Sequence, residues 1–292
     1  MNIKKSLLAF SLIELLVTIL VISILAATIT SGRQIIRKAR LSSAQSLTYN
    51  SPINSSSNLV IWLEPTLDKS FADSEKSDGK KISIWHDINI QNSLPNNASQ
   101  VISAHKPTYV NNGINSLPVV RFSKNNNKYL SFDGSKIANS NYTLIIVEQR
   151  SDDQNYNYFL CGTSNSVANS NLLVGYFFDT AIFWGQNFND YKVIDIPAYN
   201  NRNIPRIHSF YFNVISGKNY YLNEVSKNLI AVNSPVANQG LNSYQGAAVG
   251  CNPDVGNPSY VGDIAEVIIF GRALKDSERI SIENYLKDKW GI

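Results

Sequence analysis

The chain has 292 residues, 43% of them hydrophobic and only 16% charged, enough apolar side chain for one large or two small cored domains and too much for a disordered tail. Its formal charge of +4 is unevenly placed: residues 1–9 carry +2, residues 10–40 carry +3, and everything after Arg40 sums to −1. A body that close to neutrality has no excess cation with which to displace counterions from a phosphate backbone, so nucleic acid is excluded as an expected partner. With 15 Tyr, 15 Gly, 10 Pro and many Asn, the composition predicts a body made mostly of strands joined by polar turns. Cys161 and Cys251 are the two cysteines, too few for a disulfide-dense scaffold or a thiolate zinc cluster. They are read either as two buried small apolar side chains or as one disulfide, which export would permit.

The chain begins with a short basic leader, Met1 to Ala9, followed by an apolar run that extends to Ile29. Phe10 to Ile29 matches the ~20 helical residues needed to cross a bilayer core of ~30 Å, whereas a removable secretory signal has a shorter core and a small-x-small cleavage site. Lys4 and Lys5 precede the run and Arg33, Arg37, Lys38 and Arg40 follow it, so charge alone leaves its orientation open. Glu14 lies inside the run, where an ionised carboxylate is costly unless paired or protonated. A cut between Ala9 and Phe10 would create an amine four residues away, and a neighbouring subunit's amine could then pair with Glu14.

Lys4-Lys5 followed by Ala9-Phe10-Ser11-Leu12-Ile13-Glu14-Leu15-Leu16-Val17 resembles the prepilin N-terminus of type IV pilins and type II secretion pseudopilins. The resemblance implies that a membrane-embedded prepilin peptidase cuts before Phe10 and methylates its amine, and that Glu14 guides packing into a helical filament. The usual residue before the cut is Gly, and here it is Ala9. The resemblance also decides orientation, with the leader in the cytoplasm and a single pass through the bacterial cytoplasmic membrane before assembly. The body is then extracytoplasmic, displayed on a pilus or cell surface or in a periplasmic pseudopilus. The plainer reading of the same residues is an uncleaved signal anchor.

No proline interrupts the helical pattern before Pro52, so residues 10–47 are read as a transmembrane and stalk helix that frays near Ser46. Residues 48–57, within a Ser- and Asn-rich stretch, are read as a linker and residues 58–292 as the body. In the body, Tyr142 to Val147 is apolar on both faces and predicts a central strand, while Ile207 to Asn213 alternates as a half-exposed strand does. Lys275 to Trp290 predicts a helix that lays Ile282, Tyr285, Leu286 and Lys289 or Trp290 against a sheet.

Several body segments resemble the concanavalin-A-like superfamily, in particular laminin-G-like domains of bacterial surface proteins. They are Leu59 to Leu63, Trp85-His86-Asp87, Lys106 to Tyr109, Leu117 to Phe122, and Gly262 to Phe270 with Arg272-Ala273-Leu274 and the final helix. The fold implied is mainly β: a long N-terminal stalk helix, then a two-sheet jelly-roll β-sandwich with a C-terminal helix. Where that pattern has Asn-Gly in a hairpin this chain has Asn223-Glu224, and Glu is a poor residue at positive φ, so a bulged or longer turn is expected.

The superfamily includes glycan hydrolases, whose retaining members need two carboxylates ~5 Å apart. Asp263 and Glu266 are the nearest approach, but a three-residue step on a regular strand puts them on opposite faces. His86, His105 and His208 stand without a nucleophile motif, and no enzyme is expected. Calcium is a possible cofactor, with Asp68, Asp73, Asp78 and Asp87 as candidate oxygen ligands. Tyr156, Trp184 and Tyr199, in or beside Asn-rich loops, are candidate platforms for a glycan. The function expected is a structural subunit, a minor pilin, displaying a lectin-like domain for adhesion or for contacts with other subunits or protein ligands. The alternatives are a pseudopilin touching exported cargo, or a membrane-tethered carbohydrate-binding protein or glycan-active enzyme.

Overall fold

The computed structural model describes residues 12–124, 127–152, 156–163, 167–177, 181–194, 202–232, 235–236, 238–250 and 260–292, apart from the side chains of Ala27, Thr30 and Ser31. Two compact units share the chain: the described residues up to Ser42, and Ser43–Ile292. The first helix, α1 (Leu12–Tyr49), is a single element of 38 residues. It stops where Asn54 Nδ2 donates to the carbonyls of Thr48 (3.2 Å) and Tyr49 (3.0 Å), groups with no partner inside the helix.

The segment expected to be a linker is instead folded into the second unit. Ala44, Thr48 and Ile53 are buried, and Pro52 opens a short 3-10 turn, Pro52–Ser55. Gln45 Nε2 donates to the Thr66 carbonyl at 2.9 Å and Gln91 Nε2 to that of Ser56 at 2.7 Å. Both bonds run from a glutamine side chain to a backbone carbonyl, Gln45 from the end of α1 and Gln91 from the body.

Two antiparallel sheets follow. Among the described residues the first has eight strands: β1 (Leu59–Leu63), β4 (Thr108–Val110), β5 (Val119–Phe122), β7 (Tyr142–Arg150), β12 (Arg206–Asn213), β13 (Gly217–Leu222), β14 (Val225–Lys227) and β17 (Gly262–Phe270). Their order is β14-β13-β12-β7-β17-β5-β4, with β1 also paired to β17. The second has nine: β2 (Ile84–Trp85), β3 (Ala98–Ser99), β6 (Leu130–Ser131), β8 (Asn157–Cys161), β9 (Leu173–Phe177), β10 (Ala181–Gly185), β11 (Asp190–Val193), β15 (Ile230–Val232) and β16 (Ala248–Val249), ordered β15-β11-β10-β9-β8-β16-β6-β3-β2. Leu144, Ile146 and Phe210 of the first sheet meet Val174, Ile182 and Trp184 of the second in one continuous core. The β-branched, doubly apolar β7 and β17 are central, as their composition dictates.

A closing helix, α2 (Asp276–Trp290), covers the outer face of the first sheet, burying Ile282, Tyr285, Leu286, Lys289 and Trp290. Glu278 accepts the Lys275 N–H at 2.9 Å at its start, and Gly291 in the left-handed region (φ 69) ends it. This cover is why β12 is buried along most of its length and does not show the half-exposed alternation its sequence suggests: Ser209, on the outer face, bonds Glu283 of α2.

Two further expectations are overturned. The turn at Asn223-Glu224 is tight, since Leu222 pairs with Val225, and both residues hold positive φ (48 and 69). Asn223 Oδ1 accepts the Ile207 N–H at 2.8 Å, and Glu224 Oε2 meets Lys287 Nζ at 2.7 Å, so contacts outside the hairpin hold Glu in a conformation it disfavours. In β17 the register shifts between Ile264 and Glu266, so that Ile264 and Val267 both enter the core. The bulge therefore returns Asp263 and Glu266 to the same outer face, where a regular strand would have separated them.

Candidate functional site

Four places in the molecule gather polar or chemically unusual side chains. On α1, every large apolar side chain described from Leu12 to Ile29 is exposed. The hydroxyls in that stretch turn back on their own helix: Thr18 Oγ1 donates to the Glu14 carbonyl (2.6 Å), Ser23 Oγ to Ile19 (2.7 Å) and Thr28 Oγ1 to Leu25 (2.9 Å). A helix built this way offers its surroundings an apolar wall with its hydroxyl donors already spent. The described apolar stretch before Ala27 is shorter than the ~20 residues a bilayer requires, and among the described residues no helix is long and apolar enough to cross a membrane. Ala9 and Phe10 lie outside the described residues.

Where α1 ends, its last turn enters a buried cluster of charges. Lys289 Nζ lies 2.7 Å from Glu64 Oε1, 2.8 Å from Thr48 Oγ1, 3.1 Å from Glu266 Oε2 and 3.1 Å from the Tyr285 hydroxyl. Glu266 also accepts from the indoles of Trp62 (2.7 Å) and Trp290 (2.8 Å) and from Tyr285 (2.9 Å). Burial pushes the Glu266 carboxyl above its ordinary value, with Lys289 opposing. Asp263, on the same face, is taken up by Arg121 through two bonds of 2.7 and 2.8 Å. The two carboxylates that came nearest to a hydrolase pair are thus each engaged by a different cation.

Inside the sandwich, His208 is not isolated. Its Nε2 is 2.9 Å from Glu148 Oε1 and its Nδ1 is 2.8 Å from the Tyr220 hydroxyl; Glu148 also accepts from Tyr176 at 2.8 Å and from Tyr260. Burial holds His208 below its ordinary value. Burial also raises the Glu148 carboxyl, but His208, Tyr260 and Arg206 together leave it lowered. With Glu148 ionised and accepting the Nε2–H, Nδ1 accepts from Tyr220. All of these side chains are fully buried, and the network ties β7, β12 and β13 to β9.

The fourth place is an open groove of about 460 Å³ where the edges of the two sheets approach each other. It is lined by Gly217, Lys218 and Asn219 of β13, Asn189 and Tyr191 at β11, and Ser226, Lys227, Asn228 and Leu229, where the chain crosses from β14 to β15. Asn238 and Gln239 close it and also line an adjoining cleft of about 520 Å³ with Asn139, Ser140, Asn141 and Asn242. Lys218 Nζ donates to the Asn189 carbonyl at 3.0 Å and stands 4.6 Å from the ring centre of Tyr191 and 5.4 Å from that of Trp184. Asn189 Nδ2 donates to Asn169 Oδ1 and to the Gln239 carbonyl, both at 3.0 Å, while its buried Oδ1 has no partner among the described residues. Amides, ring faces and ammonium groups of this kind suit a hydroxyl-rich ligand. Sequence reasoning missed these residues because they come from separate strands and share no motif; the density of Asn was the only local signal.

The residues singled out from sequence fare unevenly. Trp184 is fully buried, its Nε1 3.2 Å from the Tyr142 hydroxyl, so it is part of the core and reaches the groove only through Lys218. Tyr156 is partly exposed and packs on Phe177 and Tyr158, and Tyr199 lies outside the described residues. Asp87 is buried and accepts the N–H groups of Trp62, Asn89 and Asn96 at 2.9–3.0 Å; burial pushes its carboxyl up. Asp73 and Asp68 meet Lys76, and Asp78 accepts the Asn111 N–H. Among the described residues no group of three His, Cys, Asp or Glu side chains could hold a metal ion, so these four are not assembled as a calcium site. Cys161 is fully buried against Ala248, and Cys251 lies outside the described residues.

No protein-family model and no curated protein sequence matches the chain. Solved structures do resemble it. The binding domain of Paraclostridial Mosquitocidal Protein 1 superposes with a TM-score of 0.51 at 16% identity, covering 82% of this chain and 56% of that one. Domain 4 of AbnA, a GH43 extracellular arabinanase from Geobacillus stearothermophilus, in complex with arabinotriose, gives 0.49 at 15% identity over 78% of this chain and 98% of that one. The Ruminococcus gnavus IT-sialidase CBM40 gives 0.43 at 13% identity over 56% and 96%. The body of this chain is accordingly an antiparallel two-sheet β-sandwich of jelly-roll type, closed by a C-terminal helix.

Proposed function

We propose that the chain is a pilin-like subunit of a type IV pilus or related filament, whose sandwich is a non-enzymatic binding module displayed outside the cell. The observation that carries this reading is α1, which exposes its apolar side chains from Leu12 to Ile29 and ends inside the charge cluster of the sandwich. An all-round apolar helix surface in water demands a cover. Lipid covers it before assembly, when residues 10–29 span the cytoplasmic membrane, and neighbouring stalks cover it afterwards. In this reading a prepilin peptidase removes residues 1–9, Phe10 acquires an N-methylated amine, and Glu14 pairs with the amine of an adjacent subunit, which neutralises both charges in an apolar setting. The likeness to the binding domain of a mosquitocidal protein supports a binding role for the body, and its amide-lined groove supports a glycan as ligand. Mass spectrometry of the membrane-extracted protein tests the assignment. N-methylated Phe10 at the amino terminus is the expected result, and intact Met1 in cells with an active prepilin peptidase overturns it.

A further inference from the structure

Among the described residues, two lysines and no carboxylate line the groove between β13 and β11. Lys218 is the deeper in its consequences. Its ammonium is largely withdrawn from water, yet the bond described for it is one carbonyl, Asn189 O at 3.0 Å, with the rings of Tyr191 and Trp184 beside it. An ammonium has three donors, and a single carbonyl with two ring faces replaces little of its hydration. The groups facing it are Asp190 and Tyr191 of β11 and Trp184 of β10, and Lys227 of β14 lines the same groove. Asp190 offsets the burial only in part, since its Oδ1 already accepts the Gln186 N–H at 2.8 Å. Burial accordingly pulls Lys218 down to about 7.

A desolvated cation beside an aromatic ring, set in a wall of amides, is complementary to a pyranose that carries an acid group. We infer that the groove binds a carboxylated saccharide, a uronate or a sialate, with its carboxylate on Lys218 Nζ and its hydroxyls on Asn238. This rests on the binding-module reading and narrows it to acidic glycans.

Calorimetric titration of the full chain in detergent tests it, with trigalacturonate and sialyllactose as the two acids, the methyl ester of each, and neutral arabino- and galacto-oligosaccharides. The expected result is that one of the acids binds, which identifies the source of the carboxylate, and that its ester binds about tenfold or more weakly. Lys218→Met, checked for an unchanged thermal midpoint, is expected to lose a similar factor. Affinity is expected to fall from about pH 6 to about pH 8.5 as the ammonium deprotonates. Equal binding of acid and ester, or an acid affinity that survives Lys218→Met, overturns the assignment. Binding confined to the neutral sugars also overturns it but leaves the binding module standing, whereas no heat with any saccharide removes the glycan reading as well. If Lys218→Met fails to fold, the contrast between acid and ester on the unaltered chain decides the question alone.

Discussion

Lys289→Met keeps the length of the side chain and removes its charge from the centre of the buried cluster. Glu64 and Glu266 are then left without their cation, and Thr48 loses one of its bonds to α2, keeping the one to the Tyr285 hydroxyl at 3.3 Å. Leaving a buried carboxylate without its partner costs about 3–5 kcal/mol, a large share of the stability of a domain. The loss has a defined pH dependence. Burial already raises the folded-state value of Glu266 above its ordinary 4.5, and removing Lys289 removes an opposing effect, so the variant's folded state holds a proton more readily than its unfolded state does. A group raised in this sense contributes stability below its unfolded value and loses it as the pH climbs through the folded value. The destabilisation of Lys289→Met is therefore greatest at and above neutral pH and shrinks towards about pH 5, by up to about 1.4 kcal/mol per pH unit for each proton taken up. Urea unfolding of the full chain in detergent, followed by tryptophan fluorescence, measures it, because Trp62 and Trp290 both touch Glu266. Adding Glu64→Gln and Glu266→Gln to the variant is expected to restore part of the loss. A loss below about 1 kcal/mol, or one that is the same at pH 5 and pH 8, refutes the argument.

Glu14→Gln is expected to abolish incorporation into filaments, scored on sheared surface fractions, while leaving the thermal midpoint of the sandwich unchanged; normal filament incorporation counts against the pairing of Glu14 with a neighbour's amine. Trp184→Ala is expected to destabilise the fold by about 3–5 kcal/mol in the same urea assay, as removal of a large buried ring does. A stable Trp184→Ala protein that has lost only glycan binding would return Trp184 to the ligand site. Calcium at about 1 mM is expected to leave the thermal midpoint within about 1 °C, since Asp68 and Asp73 meet Lys76 while Asp78 and Asp87 accept backbone N–H groups, and a larger rise reopens the metal reading.

The local and periodic features of this protein were legible in its residues. A proline-free apolar run of this length reads as a helix with an apolar surface, and α1 follows it from Leu12. The stripe of Ile282, Tyr285, Leu286 and Trp290 foretold both α2 and its buried face, and the doubly apolar Tyr142 to Val147 foretold a central strand. What depended on partners far along the chain was not legible. Residues 48–57 read as a linker until Lys289 bonded Thr48 and Gln91 the Ser56 carbonyl, and His208 read as isolated until β7 brought Glu148 beside it. The β17 bulge, which carries Glu266 to the outer face, leaves no mark in composition, because it is set by how β17 pairs with β7. The groove is the extreme case: Asn189, Lys218 and Asn238 sit on separate segments, and only the meeting of two sheet edges makes them neighbours. Periodicity determined the elements because each side chain's exposure repeats along its own backbone. Tertiary structure alone decided the sites, because burial and hydrogen bonding are properties of pairs that sequence distance does not encode.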